Sequence, residues 1–178
     1  MKSKVFKNAS WIIGCKLVKA FLMLIVTMIS ARYLGPSNYG LISYAASLIA
    51  FVTPIMKLGL ESTLVYEIVN NPLKEGKIVG TSIVMNILSG ILCLIGVCTF
   101  TFFVNAGETE TLIICALYGI SLLFQALEMI QYWFQSKLLS KYSAMSMLIS
   151  YIIVSILQVV ILLTNKNLYL FCLTYSLD

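Results

Sequence analysis

The chain contains no histidine, and this absence excludes several classes of enzyme. A catalytic triad with an imidazole base and a metal site with imidazole ligands both need this residue. The sequence also lacks the G-x-x-x-x-G-K-S/T and G-x-G-x-x-G patterns that bind nucleotide phosphates. We therefore expect no catalytic residue, no metal ligand and no cofactor, and we predict that the chain is not an enzyme.

Charged residues are scarce as well, at 11% of the 178 residues against 60% hydrophobic residues. The mean hydropathy is +0.97, and a soluble domain of this length could not bury so much apolar surface. The five cysteines lack CxxC spacing and lie in apolar segments, so we interpret them as packing residues. The net charge of +5 needs no nucleic-acid partner to explain it.

Long apolar runs are abundant, and each is close to the length of a membrane-crossing helix. Such a helix needs roughly 20 apolar residues, and the runs show no sustained alternation of the kind that strands need. We predict spans near residues 11–34, 41–60, 79–104, 112–136 and 143–164, with the start of a sixth at 168–178. Gly35 and Pro36 end the first helix. The sequence predicts an all-α membrane protein, a multi-span transmembrane helix bundle.

The distribution of basic residues predicts how this bundle lies in the membrane. Lysine and arginine in short loops are retained on the cytoplasmic side. With the N-terminus inside, most basic residues fall in or beside cytoplasmic segments: Lys2, Lys4, Lys7, Lys57, Lys74, Lys77, Lys137 and Lys141. The predicted outer loop at residues 105–110 has two glutamates and no basic residue. We therefore predict a multi-pass protein with a cytoplasmic N-terminus.

Polar residues recur at helical spacing on the predicted spans, so that each span carries a polar face. The members are Lys16, Lys19, Thr27 and Ser30 on the first span, Ser43, Ser47 and Lys57 on the second, Ser82, Asn86 and Ser89 on the third, Ser121, Gln125, Glu128, Tyr132 and Gln135 on the fourth, and Ser143, Ser146, Ser150 and Gln158 on the fifth. Small and hydroxyl residues on one face are typical of close helix packing. Charged and amide groups need a partner or a hydrated cavity.

The charged and amide groups deepest in the spans form the predicted substrate site, whose members are Lys16, Lys19, Asn86, Gln125 and Glu128. Counted from the cytoplasmic side, Lys19, Asn86 and Glu128 lie at similar depths of about 11 to 12 Å. One interpretation is a buried ion pair between Lys19 and Glu128 that sets helix register. The other is a cation site for an anionic headgroup, in which the two lysines supply charge and the amides supply hydrogen bonds.

Three stretches carry a resemblance to a known family. They are ARYLGPSNYG at residues 31–40, KLGLES at 57–62, and YWFQSK at 132–137 with SKY at 140–142. In order and predicted topology they resemble the bacterial polysaccharide flippases, oligosaccharide-lipid exporters within the larger group that includes multidrug and toxin extrusion transporters. The resemblance covers essentially the whole chain.

This resemblance implies a transporter of two lobes and roughly twelve to fourteen helices that uses alternating access. Its substrate would be an undecaprenyl-pyrophosphate-linked oligosaccharide, moved across the bacterial cytoplasmic membrane for surface polysaccharide such as O-antigen or capsule. The chain at residues 1–178 would be the N-terminal lobe, and the C-terminal lobe would be absent. The implied partners are the lipid-linked oligosaccharide, membrane lipids, and the polysaccharide polymerase with other proteins of the assembly pathway.

Two alternatives remain open on the sequence alone. One is an exporter of small amphipathic compounds, in which Glu128 would be the binding carboxylate and the lysines its structural partners. The other is a membrane scaffold or a nonfunctional truncated fragment, because the apolar run at residues 168–177 stops at about half the length of a span. In that case the polar faces would serve only for packing.

Overall fold

The computed structural model describes residues 2–164 and 168–176, and their regular structure is entirely helical, with no strand in either range. The helices are α1 (Lys2–Lys57), α2 (Leu60–Asn70), α3 (Glu75–Val104), α4 (Thr109–Gln125), α5 (Met129–Ser136), α6 (Ser140–Thr164) and α7 (Leu168–Tyr175). Short 3₁₀ turns at Pro72–Lys74 and Ala126–Glu128 lead into α3 and α5. The predicted start of a sixth span coincides with α7 as far as residue 176, and its last two residues lie outside the described ranges.

Four helical stretches of the described residues are long and apolar enough to cross a membrane, namely Ser10–Asn70, Pro72–Val104, Thr109–Ser136 and Ser140–Thr164. Their outer surfaces are apolar, with Leu17 67%, Phe51 74% and Leu92 71% exposed. Large contiguous apolar surfaces are rare on soluble monomers and are satisfied by lipid. The prediction of an all-α membrane helix bundle is confirmed.

Helix α1 turns back on itself at Gly35, which has φ 76° and ψ 169° and interrupts the helical backbone. An uninterrupted helix would place Met23 and Ala46, which are 46 − 23 = 23 residues apart, about 34 Å from each other. Both instead line one small cavity, so the chain folds into two arms, residues 2–34 and 36–57. Glycine permits the positive φ, and Pro36 suits the start of the second arm because its φ is already helical.

The turn at Gly35 brings the two arms side by side and gives the bundle two distinguishable ends. At the Gly35 end, the two arms of α1 are joined. At the Lys57 end, the second arm of α1 ends. At the Lys57 end, Leu58 and Gly59 adopt left-handed backbone conformations and redirect the chain into α2. Helix α2 then buries Leu64 and Ile68 in a cluster with Met129 of α5. This packing holds α2 and α5 together at the Lys57 end.

Helix α4 occupies the centre of the bundle. The most apolar part of its span buries 44% of its residues, against 17% for the span of α3 and 28% for that of α6. Helix α3 packs closely on α4, because a Cβ atom on Gly90 would lie 3.4 Å from the Leu122 carbonyl oxygen. A Cβ atom on Gly119 of α4 would collide with Leu94 Cδ1. Small residues thus allow α3 to lie against one side of α4 and leave its other side to the remaining helices.

Candidate functional site

Three cavities follow one another along the inner surface of the first arm of α1. We call them the lysine cavity, of about 520 Å³, the middle cavity, of about 390 Å³, and the tyrosine cavity, of about 140 Å³. Lys19 and Met147 line both the lysine and the middle cavity, and Tyr175 lines both the middle and the tyrosine cavity. Because neighbouring cavities share lining residues, the three lie next to one another along this arm, and we call them together the lumen.

The lysine cavity lies at the Lys57 end and gathers cations from both arms of α1. Its charged and amide residues are Lys16, Lys19, Lys57, Glu61, Gln131 and Gln135. Lys16 and Lys19 lie one turn apart on the first arm, and the fold at Gly35 returns the second arm so that Lys57 faces the same space. Three lysines and one glutamate give a formal charge of 3 − 1 = +2 in this cavity. Such a cavity can bind an anion.

Lys57 joins three helical segments through its ammonium group. Its Nζ atom lies 2.9 Å from Glu61 Oε1 of α2 and 3.7 Å from Glu128 Oε2 in the turn before α5. The Lys57 side chain is 20% exposed, and the two carboxylates are 38% and 31% exposed. The ion pairs therefore lie at the edge of the lumen, where solvent screens them and where another anion could compete for the lysine.

The middle cavity is lined by hydroxyl, amide and charged groups from the first arm, α4, α6 and the turn before α5. The polar residues from these elements are Lys19, Ser121, Gln125, Glu128, Ser146 and Ser150, and Tyr175 at the end of α7 and Ser176 directly after it also line the cavity. The 3₁₀ turn at Ala126–Glu128 changes the helical pitch directly after Gln125, a local feature that is common at functional sites. The Lys19 ammonium lies 4.6 Å from the centre of the Tyr151 ring, within the range of a cation–π interaction.

The structure brings four of the five predicted site residues to the lumen. Lys16 and Lys19 line the lysine cavity, and Lys19, Gln125 and Glu128 line the middle cavity. Within the described residues no ion pair joins Lys19 to Glu128, since the carboxylate of Glu128 pairs with Lys57.

Asn86 lies apart from the other four predicted residues. It is fully buried in α3 and lines none of the three cavities. Its side-chain amide donates a hydrogen bond of 3.2 Å to the Ser82 carbonyl oxygen, and its Oδ1 atom has no partner among the described residues. The predicted layer of Lys19, Asn86 and Glu128 therefore does not form around one space.

A comparison with models of known protein families identifies the family of the chain. The family described as polysaccharide biosynthesis protein matches residues 5–177. The chain belongs to this family. Comparisons with curated proteins and with solved structures gave no significant match. The resemblance to polysaccharide flippases thus agrees with the family, and a role in polysaccharide biosynthesis or export follows from membership.

Several lumen residues of this family member were not among the predicted site residues. Lys57, Tyr132 and Gln135 line the lysine cavity, and Gln158 lines the tyrosine cavity. All four stand on the polar faces that the sequence shows at helical spacing. The distribution of basic residues places Lys57 in or beside a cytoplasmic segment. The sequence does not show that the second arm of α1 ends beside the first arm, which is what brings Lys57 into the lysine cavity. The periodicity was the signal that could have found them.

Hydrogen bonds tie the helix ends together near the Gly35 end of the bundle. The Tyr44 hydroxyl of α1 donates to Asn105 Oδ1 at 3.0 Å, just after α3 ends. The Asn105 amide donates to Glu108 Oε2 at 3.2 Å, and the Thr111 hydroxyl of α4 donates to the same oxygen at 2.9 Å. This polar cluster links α1, α3 and α4 at the end opposite to the lysine cavity.

Proposed function

We propose that the chain is part of a transporter that moves a lipid-linked oligosaccharide across the bacterial cytoplasmic membrane without changing it chemically. The observation that carries the proposal is the convergence of Lys16, Lys19 and Lys57 on one cavity between membrane-crossing helices. Membership of the polysaccharide biosynthesis protein family supports a polysaccharide precursor as the substrate. The undecaprenyl-pyrophosphate linkage supplies the anionic group that the lysines would bind.

Electrostatics supports a phosphate-bearing headgroup in the lysine cavity. A lysine inside a membrane span costs roughly 2.5 to 3.5 kcal/mol on insertion scales, so a cavity lined by Lys16 and Lys19 favours anionic groups and water. Charge contacts in a site of low dielectric constant are stronger than in water, and an ammonium to phosphate contact is a charge-assisted hydrogen bond. The volume of about 520 Å³ lies in the range of small-ligand sites, roughly 300 to 1,000 Å³.

The remaining parts of the substrate are assigned by polarity. The sugars would follow the hydroxyl and amide groups of the middle cavity, and the lipid tail would stay in the bilayer against the apolar outer surface. In this proposal the Lys57 end faces the cytoplasm, as the distribution of basic residues predicts. The polysaccharide polymerase and other assembly proteins are the proposed partners after transport.

The balance of charge distinguishes this proposal from an exporter of small amphipathic cations. The lysine and middle cavities together contain three lysines and two glutamates, a formal charge of 3 − 2 = +1. Glu128, which would be the carboxylate of a cation exporter, is paired with Lys57. A net positive lumen favours an anionic substrate.

Inorganic pyrophosphate is the probe that tests the headgroup site. The double variant Lys16→Gln with Lys19→Gln should bind pyrophosphate at least about tenfold more weakly than the parent protein in lipid nanodiscs, because two charge-assisted contacts are lost. The same variant should fail to restore surface polysaccharide to cells that lack the parent gene, at equal membrane levels.

The matched control is Lys74→Gln with Lys77→Gln, which removes the same charge from exposed positions outside the three cavities. It should bind pyrophosphate within about twofold of the parent protein, because only long-range attraction is reduced. Equal losses in the two double variants would mean that overall charge, and not the lysine cavity, attracts the anion. Parent protein that binds no pyrophosphate would contradict the proposal, and a scaffold or a nonfunctional fragment would then account for the polar faces.

A further inference from the structure

The tyrosine cavity lies outside the proposed headgroup site and is lined by both arms of α1 and by α4, α6 and α7. Four tyrosines line it, namely Tyr39, Tyr118, Tyr151 and Tyr175. They come from the second arm of α1, from α4, from α6 and from the end of α7. Every side chain that lines this cavity among the described residues is uncharged, in contrast to the lysine and middle cavities.

Two buried polar side chains line this cavity, and one of them has no hydrogen-bond partner among the described residues. Tyr118 is fully buried, and its hydroxyl has no partner. Gln158, whose side chain also lines this cavity, is only 5% exposed. A buried polar group without a partner destabilises a protein. A ligand that carries hydroxyl groups would supply the missing partner for Tyr118 and would meet the Gln158 amide in the same cavity.

The aromatic rings define the shape of that ligand. The Tyr118 and Tyr175 rings stack at a centroid distance of 4.4 Å and an interplanar angle of 23°, which holds Tyr118 in place. The cavity volume of about 140 Å³ is close to the ~150 Å³ of an engineered protein cavity that binds benzene, so it suits one six-membered ring. An apolar ring would leave the Tyr118 hydroxyl without a partner, whereas a ring with hydroxyls could pair with Tyr118 and with the Gln158 amide.

We propose that the tyrosine cavity binds one uncharged pyranose ring of the oligosaccharide. This inference rests on the proposed function, because it assigns a sugar of the same substrate whose pyrophosphate lies in the lysine cavity. Ser30, which lines the tyrosine cavity, is eleven residues beyond Lys19 on the same arm, or about 16 Å along the helix. One extended substrate could reach both cavities through the middle cavity. The tyrosines offer ring faces to the C–H groups of the sugar, and Tyr118 and Gln158 bind its hydroxyls.

The test measures binding of methyl pyranosides to the full chain in lipid nanodiscs by saturation-transfer difference NMR. The probes are methyl α-glucopyranoside, methyl α-galactopyranoside and the methyl glycoside of N-acetylglucosamine, with cyclohexanol as the apolar ring of similar size. We expect at least one pyranoside to receive saturation on its ring protons and to bind more tightly than cyclohexanol. Cyclohexanol that binds as tightly as every pyranoside, or pyranosides that do not bind, would overturn the inference.

Two conservative variants locate the site. Tyr118→Phe and Gln158→Leu should each weaken pyranoside binding by about fivefold, the effect of losing one hydrogen bond. Tyr118→Phe should also raise the unfolding temperature of the unliganded protein, because it removes a buried hydroxyl without a partner. A structural role for that hydroxyl would instead lower the unfolding temperature and leave pyranoside affinity unchanged, and this result would contradict the inference.

The control variant is Tyr66→Phe, which removes a tyrosine hydroxyl from an exposed position on α2, outside the lumen. It should leave pyranoside binding unchanged, and a loss equal to that of Tyr118→Phe would overturn the assignment to the tyrosine cavity. Pyrophosphate binding is measured in the same samples. Pyranoside binding that is unaffected by the two lumen variants, with pyrophosphate binding intact, refutes the sugar site alone. Loss of the lysine-dependent pyrophosphate binding refutes the proposed function itself.

Discussion

The bundle has one polar face that is buried between packed helices and another that borders the lumen. The polar face of α3, which we define as Ser82 and Asn86 with Gly90 beside them, is buried in helix packing and borders none of the three cavities. The polar face that runs from α4 into α5 borders the lumen at every position, and its members are Ser121, Gln125, Glu128, Tyr132 and Gln135. We call them the α3 face and the α4–α5 face.

The difference follows from the size of the side chains. Gly90 lets α3 approach α4 so closely that a Cβ atom there would lie 3.4 Å from both Leu122 O and Met56 Sδ. Small residues in membrane helices favour such close contact, which excludes water. The α4–α5 face has long amide and carboxylate groups instead, and these groups need hydrogen-bond partners or water. Of these two faces, the one beside Gly90 is therefore a packing surface, and the one with long amide and carboxylate groups is a lumen surface.

The close packing of the α3 face can be disturbed by a substitution at Gly90, and this change should have the largest effect. A Gly90→Val variant has to move α3 away from the Leu122 carbonyl, and we expect it to lower the free energy of unfolding by about 1 to 3 kcal/mol, the usual cost of overpacking. The measurement is thermal unfolding in nanodiscs, with pyrophosphate affinity of the folded fraction measured in parallel. Pyrophosphate affinity should stay close to that of the parent protein.

Gly96→Val is the matched control for this prediction, because Gly96 lies on the same helix and a Cβ atom there would meet no neighbouring helix within 4 Å. It should change stability by less than about 0.5 kcal/mol, as surface substitutions usually do. Equal destabilisation by the two variants would mean that valine harms α3 in general and that the close contact with α4 has no special part.

The second prediction compares one amide side chain from each face, Gln125 on the α4–α5 face and Asn86 on the α3 face. Gln125→Leu should weaken pyrophosphate binding by about fivefold through the loss of a hydrogen-bond donor in the middle cavity. Asn86→Leu should leave pyrophosphate binding unchanged and stability nearly unaltered, because it removes one hydrogen bond to Ser82 together with one unpaired buried oxygen. Isothermal titration in nanodiscs compares the two variants. A loss of affinity in Asn86→Leu as large as that in Gln125→Leu would place Asn86 in the site.

The smallest effect is expected at Glu128. Glu128→Gln removes one of the two carboxylates that pair with Lys57, and it raises the formal charge of the lumen by one. We expect pyrophosphate binding to tighten by about twofold to fivefold, since a partly exposed ion pair contributes at most about 1 kcal/mol. Glu61 remains as a partner for Lys57, so the fold should persist. Weaker pyrophosphate binding together with lost cation export would favour the exporter alternative.

The fold could be predicted from the sequence because apolar length and helical period specify membrane helices directly. Counting residues from a helix end also estimates how deep a residue lies, which is why Lys19, Asn86 and Glu128 were grouped. Depth says nothing about rotation about the helix axis. Asn86 lies at a suitable depth but is buried one turn before Gly90, where α3 packs closely on Leu122 of α4. This packing depends on Gly90 and Gly119, which lie on different helices.

The tyrosine cavity could not be predicted for a different reason. Its stacked rings, Tyr118 and Tyr175, are 175 − 118 = 57 residues apart and belong to α4 and the end of α7. Neither tyrosine stands on one of the polar faces that marked candidate residues in the sequence. The two rings come into contact because α7 packs against α4. The spacing of residues within a helix does not indicate which helices pack together. Gln158 did stand on a polar face, and its burial in an uncharged cavity required the structure.

Thiol labelling tests the central claim most directly, which is that the α4–α5 face meets water while the α3 face does not. In a variant whose five native cysteines are replaced by alanine, single cysteines are introduced as Gln125→Cys, Glu128→Cys, Ser82→Cys and Asn86→Cys, and a hydrophilic maleimide is added to membranes. Positions 125 and 128 should react at least about tenfold faster than positions 82 and 86, because thiol modification requires access to water. Equal rates at the two faces, or protection of positions 125 and 128, would contradict the hydrated lumen.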